Sequence, residues 1–144
     1  MKTSPLPKFP PHAYVPGQNA RHPEDWFDTI KASVDGSLPP DALHQTQAFQ
    51  AGLSYLHAGY FWECHEVLEA VWMQTAPDTP EREMTQALIQ LANARLKHRM
   101  GKPRAVTRLC DMVAAHLAKC PSQGIVLGLE VAKVAGWLKA TRAL

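Results

Sequence analysis

His65 and Glu69 stand four positions apart in the run Gly59-Tyr60-Phe61-Trp62-Glu63-Cys64-His65-Glu66-Val67-Leu68-Glu69-Ala70-Val71-Trp72. An imidazole and a carboxylate at that spacing share one face of a helix. There they can form a hydrogen-bonded pair, or give two ligands to one Zn, Mn or Fe ion. A helix turns about 100° per residue, so with His65 at zero Glu69 falls roughly 40° to one side and Trp72 about 20° to the other. Phe61 lies about 40° away and Trp62 about 60°. Leu68, Cys64, Val71 and Tyr60 continue an apolar arc on the Phe61 side. Glu63, Glu66 and Ala70 fall opposite, facing solvent, with Val67 as an apolar exception. The spacing thus predicts that His65 and Glu69 are set into the apolar side, among Phe61, Trp62 and Trp72. A carboxylate buried without a partner costs on the order of several kcal/mol, so Glu69 there needs a partner, a proton or a cation.

Two functions of different class follow. In the first, the chain is a non-catalytic helical protein. His65-Glu69 is then a polar pair that fixes helix register, or part of a site for a small ligand, with Phe61, Trp62, Trp72 and Gln90 around it. In the second, the chain is a metal-dependent, hydrolase-like enzyme. His65 and Glu69 hold the ion, Glu66 or Glu63 serves as base, the two tryptophans wall the site and Gln90 orients a water or substrate. The helix offers only two ligands on one face. The third is sought from His12 or His22 in the N-terminal arm, from His57, or from another subunit.

These residues carry a family resemblance. Tyr60-Phe61-x-Glu63-x-His65-Glu66-Val67-Leu68-Glu69-x-x-Trp72, with Leu88-Ile89-Gln90 and Arg99-Met100-Gly101 further on, resembles the domain of unknown function 309 family of bacteria and archaea. The family's His-x-x-x-Glu-x-x-Trp signature is matched by His65, Glu69 and Trp72. The resemblance covers roughly residues 43 to 120. It implies a small all-helical protein, suspected of binding metal or of hydrolase-like activity, with no established reaction. It also favours an inward role for Gln90, where the Leu-Ile-Gln match sits. The chain departs from the family at Gly101-Lys102, where Gly-Asn is usual.

The elements that must position these residues read as helices throughout. The expected fold is all-α: four to five main helices in a compact, mostly antiparallel bundle, with an extended Pro-rich N-terminal arm. Residues 1–23 are expected to be that arm, disordered or laid over the body or a second subunit, with Pro5, Pro7, Pro10, Pro11, Pro16 and Pro23 in it. Residues 24–144 form the single helical domain. A short helix starts at Pro23-Glu24-Asp25, and a first long one runs from about Asp41 to Ala58, stopped by Gly59. The central helix ends near Gln74. Thr79-Pro80-Glu81 reads as cap, first-turn proline and first-turn acid of a third helix, which ends at Gly101. It carries a polar stripe of Gln86, Gln90, Asn93 and Lys97. Helices from about Pro103 to Lys119 and from about Leu127 to Arg142 complete the set.

Composition narrows the function classes. The 144 residues carry a net charge of +2, too little to argue for nucleic acid. Arg95, Lys97, Arg99, Lys102, Arg104 and Arg108 crowd one window, but they spread around the helix without interleaved aromatics. There is no apolar run long enough to span a membrane and no secretory signal. Three cysteines without a paired spacing suggest reduced thiols in a bacterial cytoplasm. His116, on an apolar stripe, is expected to be a satisfied core or edge histidine. Trp26, Trp137 and the arm leave a homodimer open as an assembly.

Overall fold

A computed structural model describes residues 9–144. Pro5 and Pro7 of the expected arm lie outside these residues. The chain folds into a short helix α1 (Asp28–Ala32), a 3₁₀ turn (Pro40–Gln45), and α2 (Gln47–Ala58), α3 (Phe61–Trp72), α4 (Pro80–Arg99) and α5 (Pro103–Ala118). A hairpin of β1 (Ile125–Val126) and β2 (Leu129–Glu130) then leads into α6 (Val131–Arg142). The all-α fold expected from the sequence is the one observed. Helices consecutive in the chain pack on one another, and α3 is held between α2 and α4. The core runs through these three helices, from Phe49 and Tyr55 through Leu68 and Val71 to Met84 and Leu88.

The turns follow from local chemistry. Gly59 closes α2 at φ 86°, a left-handed value that costs a glycine almost nothing. Only Tyr60 then separates α2 from α3, so the two helices return antiparallel. Thr79 caps α4 by accepting the Arg82 backbone N–H at 3.3 Å, and Pro80 fills the first helical position.

Three boundaries differ from the sequence reading, the first being α1, which starts at Asp28 after a turn over 24–27 rather than at Pro23-Glu24-Asp25. The first long helix does not run unbroken from Asp41. The Thr46 hydroxyl donates to the Leu43 carbonyl at 2.7 Å and accepts from the Phe49 N–H at 3.2 Å. This side-chain cap competes with helix continuation, so Thr46 turns extended and α2 starts after it. The last helix does not start at Leu127 either. Leu127 and Gly128 both take positive φ, 51° and 73°, and form the two-residue tip of the hairpin. Leu127 is costly there, but its side chain is buried in the core.

The described part of the N-terminal segment lies over the body. Pro10, Val15 and His22 are buried, and the Phe9 ring stacks on Tyr60 at 5.1 Å. This segment crosses the α3 face that carries Glu63.

Candidate functional site

The face of α3 turned to the core overlaps the expected apolar arc but is rotated toward Glu63 and Val67. Phe61, Cys64, Leu68, Val71 and Val67 are buried, and so is Glu63. Val67 is therefore core rather than an exception, and Glu63 does not face solvent. Its carboxylate has no exposed surface. Oε2 accepts the Tyr14 N–H at 2.7 Å and lies 2.6 Å from Nε2 of His22. Oε1 has no hydrogen-bond partner among the described residues. The surroundings are aromatic: His22 sits 5.9 Å from Phe27 and 6.1 Å from Trp62, centroid to centroid. Among the described residues, this Glu63–His22 contact is the ion pair sealed from solvent on both sides. His65–Glu69 is not, with side chains 31% and 58% exposed.

His65 and Glu69 instead open onto a cleft between α3 and α4. Nε2 of His65 lies 3.2 Å from Oε2 of Glu69. Glu66 joins them: each of the three offers a ligand atom, and these atoms lie within 4.8 Å of one another. Three such groups on one helix could hold an ion with its remaining coordination positions open. Lys31, from α1, holds Oε1 of Glu66 at 2.6 Å. The cluster thus carries two carboxylates and one adjacent ammonium.

The cleft has a volume of about 310 Å³ and is lined by His65, Glu69, Trp72, Gln86, Ile89, Gln90 and Asn93. The polar stripe of α4 is therefore not a plain solvated face. Gln86, Gln90 and Asn93 are half-buried across from the α3 cluster. Nδ2 of Asn93 donates to Oε1 of Gln90 at 3.1 Å, which occupies the Gln90 acceptor and leaves its NH₂ donors free to be aimed. Trp72 closes one end, under the Arg82 guanidinium 4.3 Å from its ring centroid. Arg82 is itself pinned by two bonds of 3.0 Å to the Thr75 hydroxyl and carbonyl.

The residues named from sequence thus divide. His65, Glu69, Trp72 and Gln90 meet in one cleft, and Glu66 stands beside it. Phe61 and Trp62 do not line it. Phe61 is buried under Arg99 and faces a separate cavity, and Trp62 packs edge-on against Tyr14 at 5.1 Å. Glu63, offered as a base, points into the arm contact. The third ligands sought at His12, His22 and His57 are placed elsewhere. His12 and His22 face each other at 4.8 Å on the Glu63 side, and His57 packs on Trp137 at 4.9 Å. Sequence reasoning missed Gln86 and Asn93 as cleft residues. Their signal was already present, since both share the Gln90 stripe. His116 is satisfied, its Nδ1 2.7 Å from Glu83. The basic window splits, with Arg99 bonded to the Gly59 carbonyl and Arg95 to Thr141.

Among the described residues, no helix is long and apolar enough to cross a membrane. No curated protein and no solved structure matches the chain. The family model of the domain of unknown function (DUF309) matches residues 49–109, from the first turn of α2 into α5. Through that segment, which carries both walls of the cleft, the chain is similar to the DUF309 family.

Proposed function

We propose that the cleft between α3 and α4 binds a divalent metal ion through His65, Glu66 and Glu69, and with it a small polar ligand. One observation supports this reading above the others: three ligand atoms converge within 4.8 Å at the wall of a cleft lined by amides. One imidazole and two carboxylates suit Zn, Mn or Fe. A bound ion would supply a water of lowered pKa, the nucleophile of a hydrolase-like reaction. The chain's own residues set the rest. Gln90, held by Asn93, presents amide donors to a ligand oxygen. Trp72 gives a flat apolar wall and excludes water from one side. Glu66, expected from sequence as a base, is a ligand in this reading, with one oxygen on Lys31. Glu63 has no place in this chemistry.

The competing reading, a polar pair that fixes helix register, fits Glu63–His22 better than His65–Glu69, because only the former is sealed from solvent. Three free cysteines, all buried, fit a reducing compartment such as a bacterial cytoplasm.

Elemental analysis of protein purified without tag or chelator tests the metal. The expected result is one ion per chain, lost in both His65→Ala and Glu69→Ala. If wild-type protein takes up no Zn, Mn or Fe after incubation, the cleft is not a metal centre.

A further inference from the structure

A second cavity lies at the opposite end of α3 from Trp72, between the α2–α3 turn, α4 and α6. Its volume is about 230 Å³. Phe61, Leu91 and Trp137 form its apolar walls, and His57, Arg95 and Thr141 supply its polar groups. We propose that this cavity binds a small organic carboxylate with an aromatic or short alkyl body.

The argument starts from Arg95. It is half-buried on α4, and its Nε–H donates to Oγ1 of Thr141 at 2.9 Å. The Thr141 hydroxyl donates in turn to the Trp137 carbonyl at 2.9 Å and is almost fully buried. That chain fixes the plane of the guanidinium through Nε and leaves its two terminal nitrogens, the fork that matches a carboxylate. Among the described residues, no Asp or Glu lines the cavity. Among the described residues, no carboxylate pairs with Arg95. A guanidinium drawn from water without an anion pays desolvation that an incoming anion repays.

The other walls define the body of the ligand. The Trp137 indole is held edge-on by His57 at 4.9 Å, so its face is set before a ligand arrives. Phe61 is held beneath the Arg99 guanidinium at 4.3 Å. Arg99 is itself bonded to the Gly59 carbonyl, so it stiffens the wall, whereas Arg95 is left to meet the ligand. An engineered cavity of about 150 Å³ accepts benzene. A volume of about 230 Å³ therefore suits one ring or a short chain plus a carboxylate. A purely apolar guest would leave Arg95 desolvated and unpaired. A cationic guest would meet it directly.

Titration calorimetry with benzoate, 3-phenylpropionate and hexanoate tests the site, with benzyl alcohol and benzylamine as charge controls. The expected result is saturable one-site binding of at least one carboxylate and none of benzylamine. Arg95→Gln should weaken it about tenfold or more. Arg95→Lys, which keeps the charge but not the fork, should fall between. Both variants should melt cooperatively, and His65→Ala should bind as wild type does, which separates this cavity from the metal cleft. Three results would overturn the proposal: no saturable carboxylate binding by wild type up to about 10 mM, equal binding of benzyl alcohol, or unchanged affinity in a folded Arg95→Gln.

Discussion

Nε2 of His22 lies 2.6 Å from Oε2 of Glu63, and both side chains are sealed from solvent. The pair joins the N-terminal segment to the central helix across 41 positions of sequence. The same carboxylate oxygen takes the Tyr14 N–H. One glutamate thus ties down two points of a segment rich in proline, which has little helix or sheet of its own to hold it. Glu63→Ala leaves a buried histidine and a backbone donor without a partner. Breaking a buried pair on one side costs about 3–5 kcal/mol, a large share of a domain's stability. Urea denaturation should show a loss of that size, and limited proteolysis should cut first between residues 9 and 22. A wild-type midpoint with a wild-type digest would mean that the segment is held by its aromatic contacts alone.

Gly52 meets Leu68 where α2 and α3 pack. A Cβ on Gly52 would stand 2.5 Å from Cδ2 of Leu68. Leu68 is fully buried and has nowhere to retreat. Gly52→Ala improves helix propensity, yet the clash should win, at about 1–3 kcal/mol of net destabilisation. The double variant Gly52→Ala, Leu68→Ala should lose less than the sum of the two single changes, because the removed isobutyl group makes room for the methyl. Additive thermal melts would remove the steric explanation.

Tyr55 is buried in the core, and its hydroxyl has no hydrogen-bond partner among the described residues. Burial, with the nearby Glu63 charge adding to it, pushes the phenol from 10.0 up to about 12. The folded state therefore keeps the proton where the unfolded chain loses it. The stabilisation tied to this proton is complete below pH 10.0, declines as pH rises toward 12, and is gone above that. Tyr55→Phe should flatten part of the alkaline loss of stability. At neutral pH it should cost little or stabilise slightly, since an unsatisfied hydroxyl is removed. A clear loss of stability at pH 7 would show that the hydroxyl has a partner after all.

Lys31 sits 2.6 Å from Glu66 and half-neutralises the α3 cluster. Lys31→Met removes a cation that competes with a metal for the same carboxylate. If His65, Glu66 and Glu69 hold an ion, this change should tighten Mn or Zn binding several-fold. Competition with a colorimetric chelator reads this directly. Weaker binding in the variant would instead make Lys31 a support that positions Glu66.

Helix boundaries were legible wherever the signal was local. Gly59, Thr79-Pro80 and Gly101 stop and start helices through their own backbone preferences, so α3, α4 and α5 stood where their caps put them. The α3–α4 cleft was legible in part for the same reason. His65, Glu69 and Trp72 share a stripe by spacing alone, and Gln86, Gln90 and Asn93 share another. That the two stripes face each other depended on how α3 rotates against its neighbours. Aromatic residues ring much of α3, so its periodicity did not single out one core face. The rotation was decided by what packs on the far side. Tyr14 and His22 arrive from 49 and 41 positions away, satisfy Glu63, and so allow a carboxylate to be buried and Val67 to enter the core. Sequence by itself determined the helices and the residues that could share a site. Tertiary structure alone decided which glutamate is buried and which three side chains converge, because long-range partners set the free energy of burying a charge.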